Sequence, residues 1–253
     1  MRNGSVNHTN HMHCLPLKFF FACAFLAMEA MRAQAPTAKM PPGLTLVAKV
    51  SGMVTMTVND TTRDLKIDSK VPPAAKIITG PDSSVVLVFS NGATMQLGAD
   101  TELVLQEFLQ DPFATSIRVA QLAEEPSRSR TLVALNRGEL VGDVKKLNLD
   151  RGSSFTVKTA VGATDISCGT FRIAFRPTGA GQALFTLSNA VCEVGFTQPF
   201  GGNGTAAGAG TRLAIPPGQE IKIMVTVNVN AQGQLVPVSP LPPTAAAKKD
   251  PVH

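Results

Sequence analysis

The sequence predicts an all-β fold of antiparallel stacked hairpins, forming a sandwich or a short β-solenoid. Three observations carry this. Apolar runs of roughly four to eight residues recur along the chain, the length of strands and too short for most helices. Gly or Asn stands at almost every break between them. Ile221–Val229 then alternates strictly, with Ile221, Ile223, Val225, Val227 and Val229 on one face and Lys222, Met224, Thr226 and Asn228 on the other, as only a period of two allows. The 253 residues are 44% hydrophobic and 16% charged, enough apolar content for a buried core and too little charge for a disordered acidic chain.

The first element reads as an address. Lys18 precedes the unbroken apolar run Phe19–Met28, and the small residues Ala30, Ala33 and Ala35 follow, the order of a secretory signal peptide over residues 1–35. The run is about half the ~20 residues a spanning helix needs. Cleavage after Ala35 satisfies the small-x-small rule but places Pro36 next, whereas cleavage after Ala33 avoids the proline; the bond stays open between them, as does Met12 as the true start. The expectation is an exported protein, periplasmic or extracellular, with no membrane insertion once the leader is removed. Its loss takes away Arg2, Lys18, Arg32 and Glu29, so the mature chain is less basic than the +5 of the whole sequence. The remaining Lys and Arg are scattered, with no basic stripe interleaved with aromatics, which argues against nucleic acid as a partner.

After a Pro-rich lead-in over 36–43, the main β domain is expected over 44–198. Leu44–Val50 and Met53–Val58 flank Ser51-Gly52; Val85–Phe89 and Thr94–Leu97 flank Asn91-Gly92, the strongest hairpin signal present. Leu103–Phe108, Leu132–Leu135, Leu140–Val144, Phe155–Thr159, Phe171–Arg176, Ala183–Leu187 and Val191–Phe196 follow, separated among others by Asn136-Arg137-Gly138 and Asp150-Arg151-Gly152. Asp60, Asp64 and Asp68 read as a solvated loop, and Leu122–Arg130 as an exposed one. A hairpin turning about Ala180 sets Ile173 opposite Leu187 and Phe175 opposite Phe185; a one-residue slip would mix the apolar and polar faces. Residues 199–210 read as a Gly/Ala linker, 211–238 as a C-terminal β segment and 239–253 as a disordered tail.

Enzyme chemistry finds little to build on. The four histidines are His8, His11, His13 and His253, so neither a Ser-His-Asp nor a Cys-His arrangement can form within the domain. Once the leader is gone only Cys168 and Cys192 remain, too few thiols for a zinc site without histidine. No phosphate-binding loop is present, no carboxylate pair stands out, and no Trp or Tyr offers a stacking surface. The expectation is a protein that is not an enzyme and uses no cofactor or metal. In an oxidising compartment, Cys168 and Cys192 are disulfide candidates, since the derived register also sets them opposite one another; the alternative is a pair of buried thiols.

Several pieces in order resemble the FecR domain. Val50-Ser51-Gly52-Met53-Val54 is similar to its opening strand pair, and Thr79-Gly80-Pro81-Asp82-Ser83 to the turn ahead of an apolar strand. Asn91-Gly92 through Leu97 looks like its hairpin, Gly138-Glu139-Leu140 like the start of a later strand, and Gly169-Thr170-Phe171 like its Gly-Thr corner, with Cys168 standing where Arg is common. The resemblance covers about residues 47–197. It implies an extracytoplasmic β-module and marks Gly52, Thr79, Gly80, Asn91, Gly92, Gly138, Gly169 and Thr170 as its motif residues. The family's namesake relays siderophore sensing to a sigma factor through a cytoplasmic segment and a membrane helix. Neither is expected here, so the iron-sensing role is not carried over. The expected function is a non-enzymatic binding module of the bacterial cell envelope, with an envelope protein or polymer as partner. The alternative is a regulatory component acting through a separate anti-sigma or membrane partner.

Overall fold

The computed structural model describes residues 40–114, 118–179, 181–198, 212–231, 235–238 and 246–248. The leader and its cleavage residues Ala33 and Ala35 lie outside them, as do the whole 199–210 linker and Ala180. The described chain is all β, as its alternation predicts. Its strands are β1 (Thr45–Ser51), β2 (Val54–Val58), β3 (Thr61–Asp64), β4 (Ala75–Thr79), β5 (Ser84–Phe89), β6 (Thr94–Leu97), β7 (Glu102–Gln110), β8 (Ser129–Val144) and β9 (Ser154–Lys158). There follow β10 (Ala163–Ile166), β11 (Gly169–Gly179), β12 (Gln182–Asn189), β13 (Val194–Thr197), β14 (Arg212–Ile215), β15 (Gln219–Val229), β16 (Leu235–Pro237) and β17 (Ala246–Lys248). Among the described residues no helix is long and apolar enough to cross a membrane.

All strands belong to one hydrogen-bonded network, open and mixed, folded over on itself along β8. One layer runs β3, β2, β4, β7, the first part of β8, β9, β10, β13, β14. The other runs β1, β5, β6, the second part of β8, β11, β12, β15, with β17 beyond. The layers meet through phenylalanines: Phe89 lies edge-on to Phe108 at 5.1 Å, Phe155 to Phe171 at 5.9 Å, and Phe185 stacks on Phe196 at 5.1 Å. Each ring pair joins one layer to the other and adds about 0.5–1.5 kcal/mol to the area it buries. Without Trp or Tyr, these rings are the largest groups of a core that extends from Val47 to Leu235.

The derived register is the observed one. Ile173 pairs with Leu187 and Phe175 with Phe185, and the ladder holds to Phe171 and Asn189. Ile221, Ile223, Val225 and Val227 are buried, while Lys222, Met224, Thr226 and Asn228 face outward. β15 pairs with β12 and β14 with β13, so the C-terminal β segment continues both layers.

Several expectations are corrected. Asn136-Arg137-Gly138 does not separate two strands. β8 passes through it unbroken, pairing with β7 up to Arg137 and with β11 from Gly138 onward, and so changes layers there. The sheet is not wholly antiparallel, because β9 runs parallel to β8, with Arg130 opposite Ser154 and Ala134 opposite Lys158. The stretch from Lys145 to Ser153 carries the chain back to the layer in which β8 began, and β9 therefore enters from the same end. Asp64 lies in β3 and not in a loop, β4 and β10 extend the strand set, and Val191 is 63% exposed in a corner and not in a strand. The tail expected to be disordered over 239–253 includes β17, paired with Gln219–Ile221.

Candidate interaction surfaces and the corners that build them

The chain passes from layer to layer at corners, and these gather along two opposite creases. From β1 to β2, β4 to β5, β6 to β7 and within β8, the corners share one crease, since Ser51 pairs with Ser84, Val85 with Leu97, and Glu102 with Arg137. From β10 to β11, β12 to β13 and β14 to β15, they lie on the other, because Gly169 pairs with Val144 at the far end of β8.

Buried hydroxyls stitch the first crease. Met53 N–H donates to Ser83 Oγ at 2.9 Å, and Gly80 N–H to the Met53 carbonyl at 2.9 Å. Thr79 Oγ1 donates to the Gly98 carbonyl at 2.6 Å and accepts from Thr101 N–H at 2.9 Å. Thr101 Oγ1 in turn accepts from Glu139 N–H at 3.0 Å. Each hydroxyl thus satisfies backbone groups that a corner removes from the ladder, where an unpaired group costs about 1–3 kcal/mol. Gly138 packs against Thr101 so closely that a Cβ would overlap it, and its φ of +95° lies in the left-handed region. The motif residues Thr79, Gly80 and Gly138 are therefore corner pieces, and Gly52 belongs to the same crease.

The second crease is held by the cysteines. Cys168 and Cys192 are joined as a disulfide with Cα atoms 5.7 Å apart, linking the β10–β11 corner to the β12–β13 corner. Beside it, Asn189 Nδ2 donates to the carbonyls of Cys192 at 2.6 Å and Ile215 at 3.0 Å. Gly169 opens β11 next to this bridge, and Thr170 Oγ1 donates to Asp143 at 3.1 Å on the outer face. Asn91-Gly92 makes the β5–β6 turn: Asn91 Oδ1 accepts from Ala93 N–H at 3.0 Å, and its Nδ2 donates to Ser129 Oγ at 3.0 Å, tying the turn to the start of β8.

Two surfaces built on this frame were not foreseen. The lead-in is pinned between the layers, with Gly43 N–H donating to the Phe108 carbonyl at 2.9 Å and Ser90 N–H to the Leu44 carbonyl at 2.8 Å. It forms one wall of an apolar groove of about 600 Å³, with Pro41, Pro42 and Leu44 facing Val88, Phe113 and Val119. Leu44 and Val88 are 45% and 37% exposed. At the base, Gln110 accepts from Ser90 Oγ while its amide nitrogen, buried, has no partner. The Arg128–Asp111 pair closes the rim at 3.0 Å.

The second surface is charged. On the outer face of β8 and β11, Arg172 holds Glu139 through two bonds of 2.8 Å, and Arg176 Nη2 adds a third at 2.9 Å. Arg172's hydrogen bond, reinforced by the charges of Arg172 and Arg176, outweighs partial burial and keeps the Glu139 carboxyl below its ordinary value. The alternation of Arg172 and Arg176 with Phe171, Ile173 and Phe175 placed these arginines outward; nothing local named Glu139 as their partner.

The FecR protein family model matches residues 75–192. Two crystal structures of a proposed anti-sigma factor from Parabacteroides distasonis ATCC 8503, at 2.50 and 1.65 Å, are similar at 15% identity with TM-scores of 0.41. The similarity covers 69% of this chain and 60% of those chains. No curated protein matches. The matched residues span both creases, from the first residue of β4 to the second cysteine of the bridge, and over them this chain is similar to the FecR protein family.

Proposed function

We propose that the protein is an exported, non-enzymatic binding module of the bacterial cell envelope, and that the groove between the lead-in and β5 receives its partner. The observation that carries this reading is the groove itself. Half-exposed Leu44 and Val88 are held open by backbone hydrogen bonds, and covering such surface returns about 25 cal/mol per Å². Export rests on the leader-like order of Lys18, Phe19–Met28 and the small residues after it. A photo-crosslinking residue placed at Val88 in the native host is expected to yield one discrete adduct in the envelope fraction, lost when Leu44→Asp is added. Absence of any adduct, or an adduct indifferent to Leu44→Asp, overturns the groove as the docking site. Recovery of the protein in the cytoplasm with residues 1–35 attached overturns export.

The second reading, a regulatory component acting through a separate membrane-bound anti-sigma protein, is favoured by the similarity to the FecR protein family. Deleting the gene is then expected to change sigma-dependent transcription. An unchanged transcript profile removes this reading and leaves the first intact.

A further inference from the structure

At the first crease, Ala99 and Asp100 of the β6–β7 corner, Arg137 and Gly138 of β8, and Arg176 and Pro177 of β11 surround a hollow of about 420 Å³. Its floor is backbone, because Gly138 is pressed against Thr101 and carries no side chain. Two guanidinium groups line it, and neither is fully used. Arg137 has a buried Nε with no hydrogen-bond partner, and it joins no ion pair among the described residues. The carboxylate opposite it in the ladder, Glu102, is only 7% exposed and accepts from Asn136 Nδ2 at 2.9 Å. Arg176 gives Nη2 to Glu139, but Arg172 already holds both oxygens of that carboxylate.

Arg137, Arg172 and Arg176 stand among three carboxylates, Glu102, Glu139 and Asp100, so the surroundings of the hollow carry no excess of charge; what the hollow offers is a guanidinium, Arg137, that no carboxylate holds in an ion pair among the described residues. An oxygen anion entering the hollow meets the accessible parts of Arg137 and Arg176 that line it, and not the Arg137 Nε, which is shut off from solvent. Guanidinium also matches carboxylate and phosphate oxygens in paired, charge-assisted bonds.

We propose that this hollow binds an oxyanion, a carboxylate or phosphate group, between Arg137 and Arg176. The site is separate from the apolar groove and does not depend on it. The oxyanion accepts from Arg137 and from the nitrogens of Arg176 that Glu139 leaves free, while Arg172 keeps Glu139 in place.

The test follows the arginine Nε–H signals of the ¹⁵N-labelled mature protein during titration with sodium phosphate and, separately, sodium acetate, at ionic strength held constant with chloride. The expected result is a saturable shift of the Arg137 signal in the millimolar range. The arm that saturates at lower concentration identifies the group. In Arg176→Gln, where Arg172 still holds Glu139, saturation should disappear. In Arg137→Gln, the Arg176 signal should no longer respond; an unchanged melting temperature in both variants shows that the fold is intact. Shifts that grow linearly without saturation in both arms, or a saturable shift that persists in Arg176→Gln, overturn the proposal. Crosslinking at Val88 should proceed equally in all three proteins, so failure here leaves the groove untouched.

Discussion

The two halves of the molecule solve the same problem by different chemistry. Before the crossing in β8, the corners lie on one crease and are joined by Thr79, Ser83 and Thr101, side chains that hydrogen-bond to the backbone of the next corner. After β8 the corners move to the opposite crease, and a covalent bridge between Cys168 and Cys192 takes over, with Asn189 beside it. Hydroxyl stitching is distributed over several bonds of about 1 kcal/mol each, independent of redox state. The bridge concentrates comparable stabilisation in one bond that exists only where thiols oxidise. The difference teaches that the first half is committed by sequence alone and the second by sequence together with its compartment.

The sharpest way to break the first crease is Gly138→Val. It forces a β-branched residue into a positive φ and against Thr101, and should cost about 3–5 kcal/mol in urea unfolding. A loss under 1 kcal/mol would mean that the crease yields. Next is Cys168→Ala with Cys192→Ala. With the cysteines 24 positions apart in the sequence, the chain-entropy relation gives a loss of about 3 kcal/mol. Hydrogen exchange should rise around β11–β13 and stay unchanged around β4–β7; a uniform rise would erase the distinction between the halves. Alkylation of the denatured protein without reductant should modify neither cysteine. Thr79→Val keeps the shape but strands Thr101 N–H and the Gly98 carbonyl, for about 2 kcal/mol, with exchange rising only on the first crease.

Glu139→Gln is the mildest change, under about 1 kcal/mol at neutral pH, since its arginine partners are half exposed. The sign is set by the lowered carboxyl value. Stability from the Arg172 and Arg176 contacts is complete above the ordinary carboxylate range and fades as pH falls through the folded value, below 4.5. Wild-type and Glu139→Gln unfolding curves should therefore converge at acid pH. A constant gap would assign the effect to packing.

Much of this was legible in the residues themselves. Alternation placed Ile221–Val227 and Phe171–Phe175 inward, and face-matching alone fixed the β11–β12 register. What escaped was the meaning of Asn136-Arg137-Gly138. The same Asn-x-Gly chemistry serves a chain reversal and a crossing between layers, and only the neighbour at Thr101 decides between them. The parallel β8–β9 pairing escaped because the residues between them do not encode which side they return to. The groove and the Glu139 cluster join residues more than thirty positions apart, such as Glu139 and Arg172, whose proximity depends on the finished topology.

The placement of β8 bears on how the chain acquires its shape. β4 to β7 can pair early, but their shared wall is the strand Ser129–Val144, and the same strand templates β9 and β11. Both halves must therefore wait for one central segment, and such non-local pairing slows the search for the native state. Synthesis from the N-terminus leaves the earlier strands with an open border until β8 emerges, which makes that interval the one most exposed to wrong edge pairing.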